Sequence, residues 1–407
     1  MVVMKSSTFT NPFKPGAGHM PPYLAGRQEE TREFEKLLKQ GIILQNMVLT
    51  GLRGVGKTVL LDTFKPLAIQ AKWLWAGTDL SESASTSEET LTQRLITDLS
   101  IVTSNIVIRT IENISIGFTP QRELIDQHLN YETLLNIYRT VPGLIADKLK
   151  GLLEFVWASI KSQGVQGIIF AYDEAQTMAD HAEKDQYPLA LLLDVFQSIQ
   201  KKNIPFMLVL TGLPTLFPKL VESRTFSERM FRIVFLKRLN ERESREAIHK
   251  PIEDSHCPVR FDEQSIDVII RESGGYPYFI QFICKEVYDV FLQKLHVGDK
   301  PSVPINEIIR KLDKDFFSGR WARVTDRQRQ LLSGIAALES CDDEFTVQEV
   351  VEKTKELLQH SFSSSHVNQM LSSLINMGLI YKNRHGKYSF AVPLLGKFIL
   401  RQQKERE

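Results

Sequence analysis

Gly51, Gly56, Lys57 and Thr58 stand at the spacing G-x-x-x-x-G-K-[ST] within GLRGVGKT, and those residue types suit one kind of chemistry. Glycines let successive backbone N–H groups turn inward around phosphate oxygens, a conformation that side chains would obstruct. The lysine would neutralise the β- and γ-phosphates, and the threonine hydroxyl would bind magnesium. The candidate cradle runs from Gly51 through Arg53, Gly54, Val55, Gly56, Lys57 and Thr58 to Val59. A second group supports it. GIIFAYDEAQ is an apolar run ending in Asp173 and Glu174. The first acid would hold magnesium, directly or through water, and the second would polarise an attacking water as general base. The second carboxylate favours hydrolysis of a nucleotide over simple retention. Thr211 closes LVLTGLP, where a hydroxyl positions water or reports loss of phosphate. Shortly after it come Arg224, Arg229 and Arg232. One of them, with Arg229 singled out, would serve as an arginine finger reaching a neighbouring subunit's γ-phosphate.

These residues need strands and helix ends to hold them. NMVLTG, AKWLWAGTDL, GIIFAYDEAQ, IPFMLVLTGLP and MFRIVFLKRL contain short apolar runs, each predicted to form a strand. Helical segments alternate with them, which implies a parallel α/β sheet. EETREFEKLLKQG has Phe34, Leu37 and Leu38 at helical spacing. The helix after Gly56 meets Pro66 within three turns, so it is predicted to be short or kinked there. Ser87 is a predicted N-cap for SEETLTQRLITDL. IVTSNIVIRTIENISIGF reads as a hairpin or an irregular insertion, and a helix from Tyr131 to about Gln163 is expected to break near Pro142-Gly143. From about Asn240 the strand signals stop and an all-helical stretch follows. The tail from Thr325 reads as three helices and then two β-rich runs around His385-Gly386.

Composition narrows the class. The 407 residues are long for one domain, and a 43% hydrophobic fraction can build more than one core. A formal net charge of +1 argues against a chain that coats nucleic acid or anionic membrane through its overall field. Cys257, Cys284 and Cys341 are too few and scattered for a disulfide framework or zinc site. No apolar run reaches a membrane span, and the N-terminus lacks the apolar core of a signal peptide. A cytosolic protein without a membrane partner is expected.

The ordered set PPYLAGRQEE, GLRGVGKT, AYDEAQ, LTGLP, RTFSERMFRIVFLKRL and GGYPYFIQ resembles the origin-recognition-like branch of AAA+ ATPases, adjacent to the STAND signalling ATPases. Within that branch it resembles the bacterial ATP-binding proteins that end in a winged helix. The resemblance spans roughly residues 20–402 and is weakest at 81–165. It implies a P-loop α/β core with ATP and Mg2+ as cofactors, an α-helical lid and a winged-helix domain. The implied divisions are an extended arm (1–20), a core (21–239, with an insertion at about 81–165), a lid (240–318) and a winged helix (319–407). It implies that Tyr23, Leu24, Gly26 and Arg27 pack around adenine. It also implies that Gly51, Gly56, Lys57 and Thr58 form a Walker A loop, Asp173 and Glu174 are Walker B acids, and Thr211 is sensor 1. Gly275, Tyr276 and Pro277 fall where the lid approaches the nucleotide. Many relatives carry a lid arginine there, whereas this chain reads GGYPYF, a STAND-like form that favours a switch over a ring-forming motor.

In the tail, His366, Asn368 and Gln369 lie near the start of the third helix, where they would meet base edges. Lys382, Arg384, His385 and Lys387 lie on the wing, where they would meet phosphates. That helix has no Lys or Arg, so counterion release would add little affinity. Winged helices also dock proteins. The sequence therefore leaves two readings: an ATP-driven molecular switch acting on a protein effector, or a double-stranded-DNA-engaged initiator or mobile-element helper. A nucleotide-dependent homo-oligomer is compatible with either.

Overall fold

The structure is a computed structural model that describes residues 10–114, 122–255, 259–297, 303–341, 343–358, 362–384 and 386–404. The chain forms two compact units. One comprises Gln28–Thr50 and Leu60–Phe235; the other comprises Met1–Arg27, Gly51–Val59 and Leu236–Glu407.

The first unit is built on a sheet. Its elements in chain order are α1 (Gln28–Leu38), β1 (Asn46–Thr50), α2 (Lys57–Gln70), β2 (Trp73–Ala76), α3 (Glu88–Thr103), β3 (Val107–Ile114), β4 (Arg122–His128), α4 (Tyr131–Thr140), α5 (Ile145–Ile160), β5 (Gly167–Tyr172), α6 (Pro188–Lys201), β6 (Phe206–Gly212), α7 (Leu216–Ser223), α8 (Ser227–Met230) and β7 (Phe231–Phe235). The first three residues of α2 fall in the second unit. Five strands pair in the order β2-β5-β6-β1-β7, all parallel. β1, β5 and β6 are buried at every position, as strands covered on both faces must be. Phe170 of β5 packs edge-on against Phe196 of α6, with ring centroids 5.0 Å apart. Phe34 of α1 stacks on Phe64 of α2 at 4.2 Å. Such ring pairs add about 1 kcal/mol beyond their burial. Asn46 opens β1 fully satisfied: its amide exchanges hydrogen bonds with Gln200, receives the Leu208 N–H and donates to the Met230 carbonyl.

Ser87 caps α3 as predicted, accepting the Thr90 N–H. Of the β-branched stretch, Val107–Ile114 forms β3, which pairs antiparallel with β4, while residues 115–118 lie outside the described residues; the following helix breaks between Thr140 and Ile145. Of the two alternatives at Pro66 the short helix is excluded: α2 runs on to Gln70 with Pro66 inside it.

The second unit holds α9 (Glu241–Asp254), α10 (Glu263–Ser273), α11 (Pro277–Val297), α12 (Ile305–Leu312), a π-helical turn at Asp313–Phe317, α13 (Ser318–Trp321), α14 (Asp326–Ala336), α15 (Val347–Leu357), α16 (Ser364–Asn376), β8 (Ile380–Arg384), β9 (Lys387–Phe390) and α17 (Leu395–Lys404). Thr325, Thr346 and Ser363 cap α14, α15 and α16 through their side chains. β8 and β9 form an antiparallel hairpin. A single core joins Ile266 and Ile283 to Leu331, Leu371 and Phe398 through Phe317, whose ring stacks on Phe398 at 5.1 Å. The π-helical turn, α12, α13 and α17 were not apparent in the sequence pattern. His385 and Cys257 lie outside the described residues.

Candidate functional site

In the second unit the glycine-rich loop folds tightly on itself. Gly54 and Gly56 adopt φ of +78° and +90°, the left-handed region that side chains disfavour. A Cβ on Gly51 would lie 2.6 Å from the Leu236 carbonyl, so glycine is required there by close approach. Lys57 is buried, and its ammonium donates to the Gly51 and Leu52 carbonyls, each at 3.0 Å. Lys57 and Thr58 are the first two residues of α2, at the helix end that carries the positive pole of the helix dipole. The segment therefore concentrates positive charge and backbone donors, the equipment of a phosphate site.

Its neighbours within that unit hold the loop from several sides. Arg27 is buried and donates at 2.9 Å to both the Val55 and the Lys237 carbonyl. Its guanidinium thus fastens the loop backbone, a role the sequence reading, which set it beside adenine, did not foresee. Gly26 has φ +63°, and Tyr23 packs partly buried on the unit's core. Leu24 is half-buried. Tyr276 closes the α10–α11 turn, its N–H on Ser273, and Pro277 opens α11. The next residue makes the contact that the motif did not reveal. The Tyr278 N–H donates to the Gly54 carbonyl at 3.1 Å. Arg53, at the loop tip, donates to the Gly378 carbonyl at 3.2 Å, in the turn between α16 and β8.

In the first unit, Asp173 follows β5 directly and is buried. The Thr211 hydroxyl, at the end of β6 and fully buried, donates to its Oδ1, which also accepts the Glu174 N–H at 2.7 Å. Here the residues read from two separate motifs meet. Glu174 is exposed and has φ +51°, a left-handed conformation that costs a non-glycine residue about 1–2 kcal/mol. Strain of this kind concentrates at functional sites. Gln176 links its carboxylate to the β6 end: the side-chain amide donates to Glu174 Oε2 and accepts the Leu213 N–H at 3.0 Å. Asp62 of α2 is exposed, and partial desolvation together with the charges of Asp173 and Asp79 raises its pKa.

The three arginines separate. Arg224 is committed to a bidentate pair with Asp194, at 2.6 and 2.8 Å, which raises its pKa. Arg232 pairs with Glu33 at 3.0 Å. Arg229 is exposed, with no ion pair among the described residues. In the C-terminal helices, His366, Asn368 and Gln369 lie exposed on α16, Lys382 is exposed on β8 and Lys387 is half-buried on β9, where Arg384 ends β8. Among the described residues no group of His, Cys, Asp and Glu forms a metal cluster. No helix there is long and apolar enough to cross a membrane.

Solved structures share this architecture. The chain is similar to the Walker-type ATPase PABY2304 of Pyrococcus abyssi, with 17% identity and a TM-score of 0.57 over 93% of this chain and 96% of that one. It is also similar to the ORC2 protein of Aeropyrum pernix in its ADP form, with 15% identity and a TM-score of 0.54 over 97% of this chain and 99% of that one. ORC2 in ADPNP–ADP complexes gives 14% identity and a TM-score of 0.53, over 97% and 98%. The likeness is one of fold: a parallel five-stranded α/β sheet followed by helices. A family model described as a domain of unknown function, DUF8462, matches residues 314–399, from the π-helical turn into α17. No curated protein matches the sequence.

Proposed function

We propose that the chain is an ATP-binding and ATP-hydrolysing molecular switch whose nucleotide state governs a helical lid (residues 240–318) and a winged-helix domain (residues 319–407). One observation carries the switch reading. The loop expected to hold phosphate is hydrogen-bonded both to α11, through Gly54 and Tyr278, and to the turn before β8, through Arg53 and Gly378. A phosphate drawing on Gly54 or Arg53 would alter both contacts at once, a differential interaction of the kind that shifts a conformational equilibrium. The similar Walker-type ATPase and the ADP and ADPNP complexes of ORC2 support a nucleotide at this loop.

In this reading Lys57 and the loop amides, Gly51 to Val59, hold the phosphates, while Tyr23, Leu24, Gly26, Tyr276 and Pro277 lie toward the base. Thr58 and Asp173 would hold Mg2+, which neutralises phosphate charge. Asp173 supplies a hard carboxylate oxygen of the kind Mg2+ takes, held in place by the Thr211 hydroxyl. Glu174 takes the proton of the attacking water as its oxygen bonds to the γ-phosphorus and the bond to the bridging oxygen breaks, leaving ADP. Thr211 keeps Asp173 oriented. Arg229 is the proposed finger toward a second copy. A protein effector receives the output.

Thermal unfolding with ATP and ADP tests binding. Saturation at 100 Kd raises stability by about 2.7 kcal/mol, an effect Lys57→Ala should abolish. A transition that neither nucleotide moves would contradict the proposal. A second reading, in which double-stranded DNA is bound, is favoured by the exposure of His366, Asn368 and Gln369 on α16. Binding at low salt that weakens steeply as salt rises would promote it.

A further inference from the structure

We infer that Gln176 is a positioning residue for hydrolysis, tying the general base Glu174 to the backbone at the end of β6. The inference rests on the reading of Glu174 as that base.

The hydrogen bonds determine which way the amide faces. A backbone N–H only donates, so the Gln176 oxygen must face the Leu213 N–H, 3.0 Å away. The amide nitrogen is then left toward Glu174 Oε2, to which it donates. The backbone carbonyl of Gln176 is anchored in turn by the Lys219 ammonium at 2.7 Å, from α7. Gly212 leaves room for this arrangement: a Cβ there would lie 2.6 Å from Gln176 Oε1. Thr211, which donates to Asp173, is two residues from Leu213. Movement of the β6 end would therefore reach both acids, Asp173 through a hydroxyl and Glu174 through the Gln176 amide. Glu174 is exposed and in a left-handed backbone conformation, so without this amide its carboxylate has no side-chain tether among the described residues. A mispositioned base loses rate steeply, about a hundredfold for an ångström.

The test is steady-state ATP turnover of the full chain with Mg2+, comparing wild type, Gln176→Ala and Gln176→Glu, with ADP affinity and the melting temperature measured alongside. The carboxylate of Gln176→Glu can still accept the Leu213 N–H but repels Glu174. Both variants should lose kcat by about tenfold or more, while KM, ADP affinity and melting temperature stay close to wild type. Unchanged or increased kcat in Gln176→Ala would overturn the inference, as would a loss of kcat accompanied by equal losses in ADP affinity and stability. No turnover by the wild type would overturn the reading of Glu174 itself, and the inference with it.

Discussion

Asp62 shows how much of the candidate site is decided by single carboxylates. Although Asp62 is exposed, partial desolvation, then the charges of Asp173 and Asp79, raise its pKa, with Lys65 opposing. A carboxyl that titrates higher when folded than when unfolded weakens the fold in its charged form. That cost is absent below the unfolded value, near pH 4, and grows as pH rises through the folded value. Asp62→Asn should therefore melt at a higher temperature than wild type at pH 7. The gap should close as pH falls well below about 4, where both side chains are neutral. A gap that persists there would place its origin in packing. At this scale the motifs revealed the residue types of the proposed site, but not that the Thr211 hydroxyl bonds to Asp173. They did not reveal Gln176, because an amide after two acids has no spacing rule and its partner, Leu213, is remote in sequence. The hold of Arg27 on the loop was hidden for a similar reason: the sequence marks a cation but not the carbonyls it meets.

Among the elements, α3 is fastened to the sheet by a buried charge. Asp98 is fully buried, bound in a fork by Arg94 at 2.6 and 3.1 Å, and accepts the Tyr172 hydroxyl of β5 at 3.0 Å. Burial raises the Asp98 pKa while Arg94 and Tyr172 oppose it, and burial beside Asp98 drives the Tyr172 pKa well up. Arg94→Met would keep the bulk but leave that carboxylate with the phenol alone. Chemical denaturation should show a loss of about 3 kcal/mol; a loss under about 0.5 kcal/mol, the range of ordinary surface changes, would mean that water replaces the guanidinium. The strands were legible because parallel strands buried on both faces are continuous apolar runs. The helix through Pro66 was not, since nothing local shows that packing of Phe64 against Phe34 holds α2 beyond the missing hydrogen bond.

At the scale of the whole molecule, the proposed switch depends on contacts that join the loop to distant parts of its own unit. Arg53 and Gly378 are separated by 325 residues. Hydrogen bonds from charged donors contribute about 1.5–3 kcal/mol, so Arg53→Ala should lower the melting temperature of the nucleotide-free protein. It should also diminish the difference between the ATP- and ADP-bound melts; an undiminished difference would remove this contact from the switch. The continuous core from Ile266 through Phe317 to Phe398 was hidden in the sequence because its central residues lie in a π-helical turn, which breaks the helical period.

The most direct measurement is steady-state ATP hydrolysis by the full chain with Mg2+, beside Lys57→Ala and Glu174→Gln. The account predicts measurable turnover by the wild type. Lys57→Ala should lose both binding and turnover. Glu174→Gln should still bind ATP while turnover falls by about a hundredfold or more. Absence of turnover in the wild type, or near-normal turnover in Glu174→Gln, would contradict it.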